Sequence, residues 1–102
     1  MLAEHPEAAW AEFGPYFLHE TNAYARWAAA GGIANATYEE MTDIASVRAH
    51  GQYRILTPEA HRDELDAMGD AAFAMLHPMV GGIPPALAWR HLELFERAVL
   101  TR

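Results

Sequence analysis

The chain has 102 residues, of which 52% are hydrophobic and 21% are charged, and its formal net charge is −7. This length supports one folded domain but not a complete eight-stranded α/β barrel, which typically needs about 250 residues. Its seven cations are all arginines scattered along the chain, so nucleic acids and anionic membrane surfaces, which are held by clustered cations, are not expected partners.

Missing residue types exclude several chemistries. Cysteine and lysine do not occur, which excludes disulfides, cysteine nucleophiles and Schiff bases. The only serine, Ser46, lies outside the Gly-x-Ser-x-Gly pattern of serine hydrolases. Because the N-terminus has neither a basic start nor an apolar run, and no apolar stretch is long enough to span a membrane, we expect a soluble, cytoplasmic protein.

Residues 1–32 are predicted to be helical. Pro6 suits the first turn of a helix that ends at Gly31-Gly32, and Gly14-Pro15 predicts a kink or two abutting helices. The aromatic residues that recur at helical spacing could stack on a planar ring, but such patterns are usually core. They are Trp10, Phe13, Phe17, Tyr24 and Trp27.

Residues 33–52 form the least regular part of the sequence, and we expect a surface excursion or a lid there. Thr37 and Glu40 have the spacing of a capping box. This pair predicts a short helix from about residue 38 to 49, ending at Gly51.

Residues 53–102 are predicted to form a βαβα unit. The first strand covers 53–56, and the cap and proline at Thr57-Pro58 begin a helix that runs to Gly69. The apolar run 72–76 lacks alternation, which is typical of a parallel strand buried on both faces. A final helix over 84–100 carries an apolar stripe of Ala88, Leu92, Phe95 and Val99, opposite a Glu93–Arg97 pair.

The turn between the second strand and the last helix is the leading site candidate. His77, Gly81 and Gly82 follow the carboxyl end of the predicted strand, where α/β folds bind ligands. A glycine pair allows close approach of a ligand, although a tight turn is its commoner role. A lone histidine at such a position is likewise more often structural than a proton donor.

Two other polar pairs are weaker candidates for a functional site. His61 and Glu64 share a helix face at i,i+3 spacing, which provides at most two metal ligands, so no metal site is predicted. His19 and Glu20 could line a polar surface, but we interpret them as a solvated helix face.

Taken together, the segments resemble the C-terminal region of the luciferase-like flavin-dependent monooxygenase superfamily, over nearly the whole chain. The resemblance rests on their order and spacing. The segments are Pro6-Glu7-Ala8-Ala9-Trp10, Gly14-Pro15, Tyr24-Ala25-Arg26-Trp27, Tyr53-Arg54-Ile55-Leu56-Thr57-Pro58-Glu59, Leu76-His77-Pro78, Gly81-Gly82-Ile83-Pro84-Pro85, Leu87-Ala88-Trp89, Leu92-Glu93-Leu94-Phe95 and Val99-Leu100.

The resemblance implies a single domain, 1–102, whose βαβα part matches the last two strand–helix units of a (β/α)8 barrel behind a kinked helical segment. Family members bind FMN or a deazaflavin at the carboxyl ends of the strands, and His77, Gly81 and Gly82 would lie beside that pocket. The family's first six strands have no counterpart here, so we expect the chain not to bind flavin alone.

Two functional hypotheses follow. In the first, the chain is the C-terminal portion of a luciferase-like flavin-dependent oxidoreductase and is inactive in isolation; no catalytic residue can be assigned. In the second, it is a noncatalytic module that self-associates, because two parallel strands leave two unpaired sheet edges. We therefore expect a homo-oligomer or a partner chain that completes the sheet, and the second hypothesis in particular predicts a homodimer or higher oligomer. A third hypothesis, a metal or small-molecule sensor, rests only on His61, Glu64 and the glycine turn.

Overall fold

A computed structural model describes residues 1–33, 38–71 and 73–101 of the chain. The described part of the chain is mostly helical, with 68% of its residues in helices. The helices of the described part are α1 (Pro6–Ala30), α2 (Ile44–His50), α3 (Pro58–Met68) and α4 (Pro85–Phe95), with short helical turns at Gly69–Ala71, Val80–Gly82 and Glu96–Leu100. No helix in these ranges combines the length and apolar character that crossing a membrane requires.

The predicted α/β fold is wrong. The residues that the structure describes contain no sheet, and their β pairing consists of one isolated parallel bridge between Leu2 and Leu56. There, Ala3 N donates to Leu56 O at 3.0 Å and Leu56 N donates to Met1 O at 2.9 Å. The predicted strand 53–56 therefore contributes a single bridging residue, and its partner is the N-terminal segment rather than a second parallel strand.

The predicted buried strand over 72–76 is also wrong. Ala72 lies outside the described residues, and 73–77 have no regular secondary structure. Phe73 is 84% exposed and Met75 is 87% exposed. A strand is stable only when neighbouring strands pair its amides and carbonyls and cover its side chains, and no strand flanks this segment in the described part of the chain.

Helix α1 extends across the predicted break at Gly14-Pro15. Pro15 lies inside the helix, although it cannot donate the usual backbone hydrogen bond. The helix persists because its buried face extends on both sides of the proline. Trp10 and Phe13 before it and Phe17 after it are each at most 6% exposed. The predicted C-terminus at Gly31 is confirmed.

The short helix of the irregular region begins later than predicted. Thr37, the predicted cap, lies outside the described residues, and residues 38–43 are not helical. Asp43 caps α2 instead, by accepting a hydrogen bond from Ser46 N at 2.8 Å. The end at Gly51 is confirmed, and this glycine has a φ of 86°.

Helices α3 and α4 begin close to the predicted prolines. Thr57 Oγ1 accepts from Ala60 N at 3.2 Å and caps α3, which ends at Gly69 as predicted. The buried face of α4 is formed by Ala88, His91 and Leu94. It is therefore rotated relative to the predicted stripe, because His91 and Leu94 are buried in place of Leu92 and Phe95.

The main core lies between the first half of α1, α2, the segment around Ile55 and the start of α4. Its buried residues are Ala9, Trp10, Phe13, Phe17, Val47, Ile55, Val80, Ile83 and Ala88. A second cluster of Leu2, Leu94 and Val99 joins the N-terminus to the end of the chain. The predicted core aromatics Tyr24 and Trp27 lie beyond this core and are 40% and 66% exposed.

Candidate functional site

A polar cleft of about 270 Å³ lies between the middle of α1, the segment leading into α3, and residues 75–80. It contains most of the polar side chains that the fold buries or half-buries. Its lining residues are Met1, Leu2, Phe17, Glu20, Tyr38, Gln52, Tyr53, Arg54, Leu56, His61, Glu64, Met75, Leu76, His77, Val80 and His91.

One end of the cleft is built around Glu20. This residue is only 8% exposed because it follows Phe13 and Phe17 on the buried face of α1. Tyr53 donates its hydroxyl proton to Glu20 Oε2 at 2.7 Å. Burial, followed by this hydrogen bond to a carboxylate, raises the pKa of Tyr53, so the phenol stays protonated and remains a donor.

His77 lies beside the same carboxylate. Its Nε2 atom is 4.0 Å from Glu20 Oε1, and its side chain is 67% exposed. This separation exceeds hydrogen-bond length, so His77 contributes charge to the cleft when protonated but does not occupy the second carboxylate oxygen.

The opposite end of the cleft is basic. The N-terminal ammonium of Met1 donates to Arg54 O at 2.9 Å, and burial lowers its pKa. The Arg54 guanidinium forms a two-pronged ion pair with the carboxylate of Glu64.

Two histidines lie at this basic end. His91 is 3% exposed, and its Nδ1 accepts a hydrogen bond from Leu2 N at 2.9 Å. Burial first, and then the N-terminal ammonium, lower its pKa to about 4, so it is neutral at pH 7. His61 Nε2 is buried and has no hydrogen-bond partner among the described residues, and burial lowers the pKa of His61 as well.

The glycines predicted to bind a cofactor do not line the cleft. Gly81 has a φ of 59°, and a Cβ atom at this position would lie 2.1 Å from the carbonyl oxygen of Tyr16. Gly81 is therefore needed for close contact with α1. Gly82 has a φ of 81° with open space around it. Of the three predicted site residues, the structure brings only His77 to the cleft.

Sequence reasoning missed Glu20 and treated it as part of a solvated face. The signal was available, because Glu20 lies three residues after Phe17 and seven after Phe13, in register with the buried stripe. His19, by contrast, is exposed. The placement of Tyr53, His61 and His91 around one cleft depends on contacts between distant segments and has no local signal.

The pair His61–Glu64 does not form a metal site. Glu64 pairs with Arg54, and the His61 ring packs against Phe95 at a centroid distance of 5.7 Å. Within the described ranges, no group of three or more His, Asp or Glu side chains is arranged to hold a metal ion.

The cleft around Glu20 is a poor fit for a flavin. The cleft is below the roughly 300–1,000 Å³ of typical cofactor sites, and its best-formed polar group, Glu20, is a carboxylate that would repel a phosphate. Within the glycine turn, Gly81 is packed on the Tyr16 carbonyl, which leaves no room for a ligand at that residue. No reaction step through a flavin can be assigned to this chain alone.

Comparison with known proteins returned no matching family model, curated protein or solved structure.

Proposed function

We propose that this chain acts as the C-terminal portion of a luciferase-like flavin-dependent oxidoreductase and contributes a docking surface rather than a complete active site. The observation that carries the proposal is a pair of exposed apolar side chains in the irregular segment 73–77, where Phe73 and Met75 are 84% and 87% exposed. Exposing two large apolar side chains within three residues is unfavourable, and a covering surface from the rest of the enzyme removes that cost.

The position of the segment supports this proposal. Several of the residues that resemble the family lie around one cleft, since Tyr53, Arg54, Leu76 and His77 all line it. A surface that covers Phe73 and Met75 would lie against the same cleft, because Met75 belongs to its wall. The flavin would then be bound mainly by residues outside this chain.

The isolated chain provides the first test. Without the rest of the enzyme, we expect no quenching of FMN fluorescence on titration and no turnover with reduced flavin, oxygen and an aldehyde substrate. Turnover by the 102-residue chain itself would contradict the proposal that it supplies only part of the site.

Complementation provides the positive test. A luciferase-like oxidoreductase that lacks its corresponding C-terminal region should regain flavin binding when this chain is added. The double variant Phe73→Asp/Met75→Asp should lose that effect, whereas Trp89→Asp, a change at a residue that is 59% exposed on α4, should retain it. Failure of the unmodified chain to complement, or equal behaviour of both variants, would refute the assignment.

A second candidate is a noncatalytic module that associates with copies of itself. It is favoured by two further exposed apolar residues, Trp27 in the last turns of α1 and Ile33 shortly after the helix ends, each 66% exposed. Light scattering separates the two candidates. A dimer or higher oligomer that Trp27→Asp dissociates supports self-association, and a monomer at all concentrations rejects it.

A further inference from the structure

The acidic end of the cleft has an acceptor that the protein leaves available. Glu20 is 8% exposed, and Tyr53 occupies its Oε2 atom. The other oxygen, Oε1, faces His77 at 4.0 Å, which is beyond hydrogen-bond length. Oε1 is not among the fully buried atoms that lack a partner in the described part of the chain, so it opens on the cleft and can accept from a donor that enters it.

The walls beside Glu20 suit a cation with an apolar part. Phe17 and Tyr53 stack at a centroid distance of 5.1 Å, and Tyr38 contributes a third ring to the lining. Aromatic rings attract organic cations through their quadrupoles. Met75 and Leu76 add apolar surface that a short alkyl chain can contact.

The charges around the cleft also favour a cation at this end. Arg54 is engaged with Glu64, and the Met1 ammonium is bonded to the Arg54 carbonyl, so neither cation neutralises Glu20 by a hydrogen bond. The net charge of −7 attracts cations to the molecule as a whole. A metal ion is a poorer fit, because the described residues offer no group of three ligands.

We propose that the cleft binds a small organic cation, a primary alkylammonium, with its ammonium on Glu20 Oε1 and its alkyl chain between Tyr38, Tyr53 and Met75. The site binds without performing chemistry, and this inference does not depend on the proposed role in a flavin enzyme.

Titration of the 102-residue chain with butylammonium chloride, followed by calorimetry, tests the proposal. Saturable binding is expected, and butan-1-ol, which has the same chain without the charge, should bind far more weakly. Glu20→Gln should weaken butylammonium binding by about tenfold or more, since a charge-assisted hydrogen bond is lost. The matched control Glu12→Gln, at an exposed carboxylate paired with Arg90, should leave binding unchanged.

A second measurement needs no variant at position 20. In NMR spectra of the unmodified chain, the carboxyl carbon of Glu20 should shift along the same saturation curve as the calorimetric titration. His77→Ala should bind butylammonium at least as tightly as the unmodified chain, because the His77 ring lies 4.0 Å from Glu20 Oε1 and its removal leaves more room at that oxygen. The proposal is overturned by the absence of saturable binding, by equal binding of butan-1-ol, by an unshifted Glu20 carboxyl, or by loss of binding in His77→Ala.

Discussion

Buried polar residues connect parts of this chain that are distant in sequence. His91 on α4 accepts from the backbone of Leu2, and Thr21 and Asn22 on α1 bond to the backbone of residues 39 and 41. The His91 bond satisfies a buried backbone amide that would otherwise be left unpaired, which costs more than the bond itself contributes. Individual side chains therefore hold the non-helical segments on the helices.

His91 makes stability depend on pH. Its pKa is lowered from 6.5 to about 4 in the folded chain, so between these values the unfolded chain binds a proton that the folded chain does not. The contribution of His91 to stability is therefore full above about pH 6.5 and falls as the pH drops towards 4, by at most ~1.4 kcal/mol per pH unit for this one group. Urea unfolding across this range should show the decline.

His91→Gln is the matched variant for this effect, since an amide oxygen can still accept from Leu2 N but does not titrate. Its stability should vary less with pH than that of the unmodified chain. His50→Gln, at an exposed histidine at the end of α2, should keep the original pH dependence. An unaltered pH profile in His91→Gln would contradict the role given to His91.

Gly81 and Gly82 provide a pair of substitutions that differ in one physical respect. Both have positive φ, so alanine costs about 1–2 kcal/mol at either position. Only at Gly81 would the added Cβ meet the Tyr16 carbonyl, at 2.1 Å. Gly81→Ala should therefore destabilise the fold clearly more than Gly82→Ala in urea unfolding, and equal losses would show that the turn does not pack against α1.

At the scale of elements, local capping sets the helix boundaries. Thr57→Ala removes the side-chain acceptor for Ala60 N and should cost about 1 kcal/mol, while Thr57→Ser should retain most of the stability. Thr42→Ala, at an exposed residue that precedes the Asp43 cap, serves as the control. Thermal unfolding monitored by circular dichroism measures all three, and a Thr57→Ala midpoint equal to that of Thr42→Ala would contradict the cap.

The apolar run 72–76 is the part of the chain whose structure the sequence pattern predicted least well. Its continuous apolar residues are typical of a buried parallel strand, but that interpretation assumes neighbouring strands. Since a strand takes its hydrogen bonds from other segments, the described part of this chain, which has one bridge in place of a sheet, cannot support it. Helices α1, α3 and α4 satisfy their own backbone groups, so their existence could be predicted.

At the scale of the whole molecule, the fold separates an aromatic core from an apolar surface segment. Phe17 is 1% exposed, whereas Phe73 is 84% exposed. Phe17→Ala should therefore cost about 3–5 kcal/mol, and Phe73→Ala should change the free energy of unfolding by less than about 0.5 kcal/mol. Denaturant unfolding of the two variants measures this contrast, and a large loss in Phe73→Ala would support the buried strand predicted over 72–76.

The amino-acid sequence by itself determined the local features of this protein: the proline and threonine that begin α3, the glycines that end α1, α2 and α3, and the acidic charge. These depend on contacts within a few residues, where each residue type has a physical preference of its own. The tertiary structure alone decided that Gly81 meets Tyr16, that Tyr53 bonds to Glu20, and that His61, His77 and His91 line one cleft with them. Such placements arise from packing between segments that are distant along the chain, and no local preference encodes them.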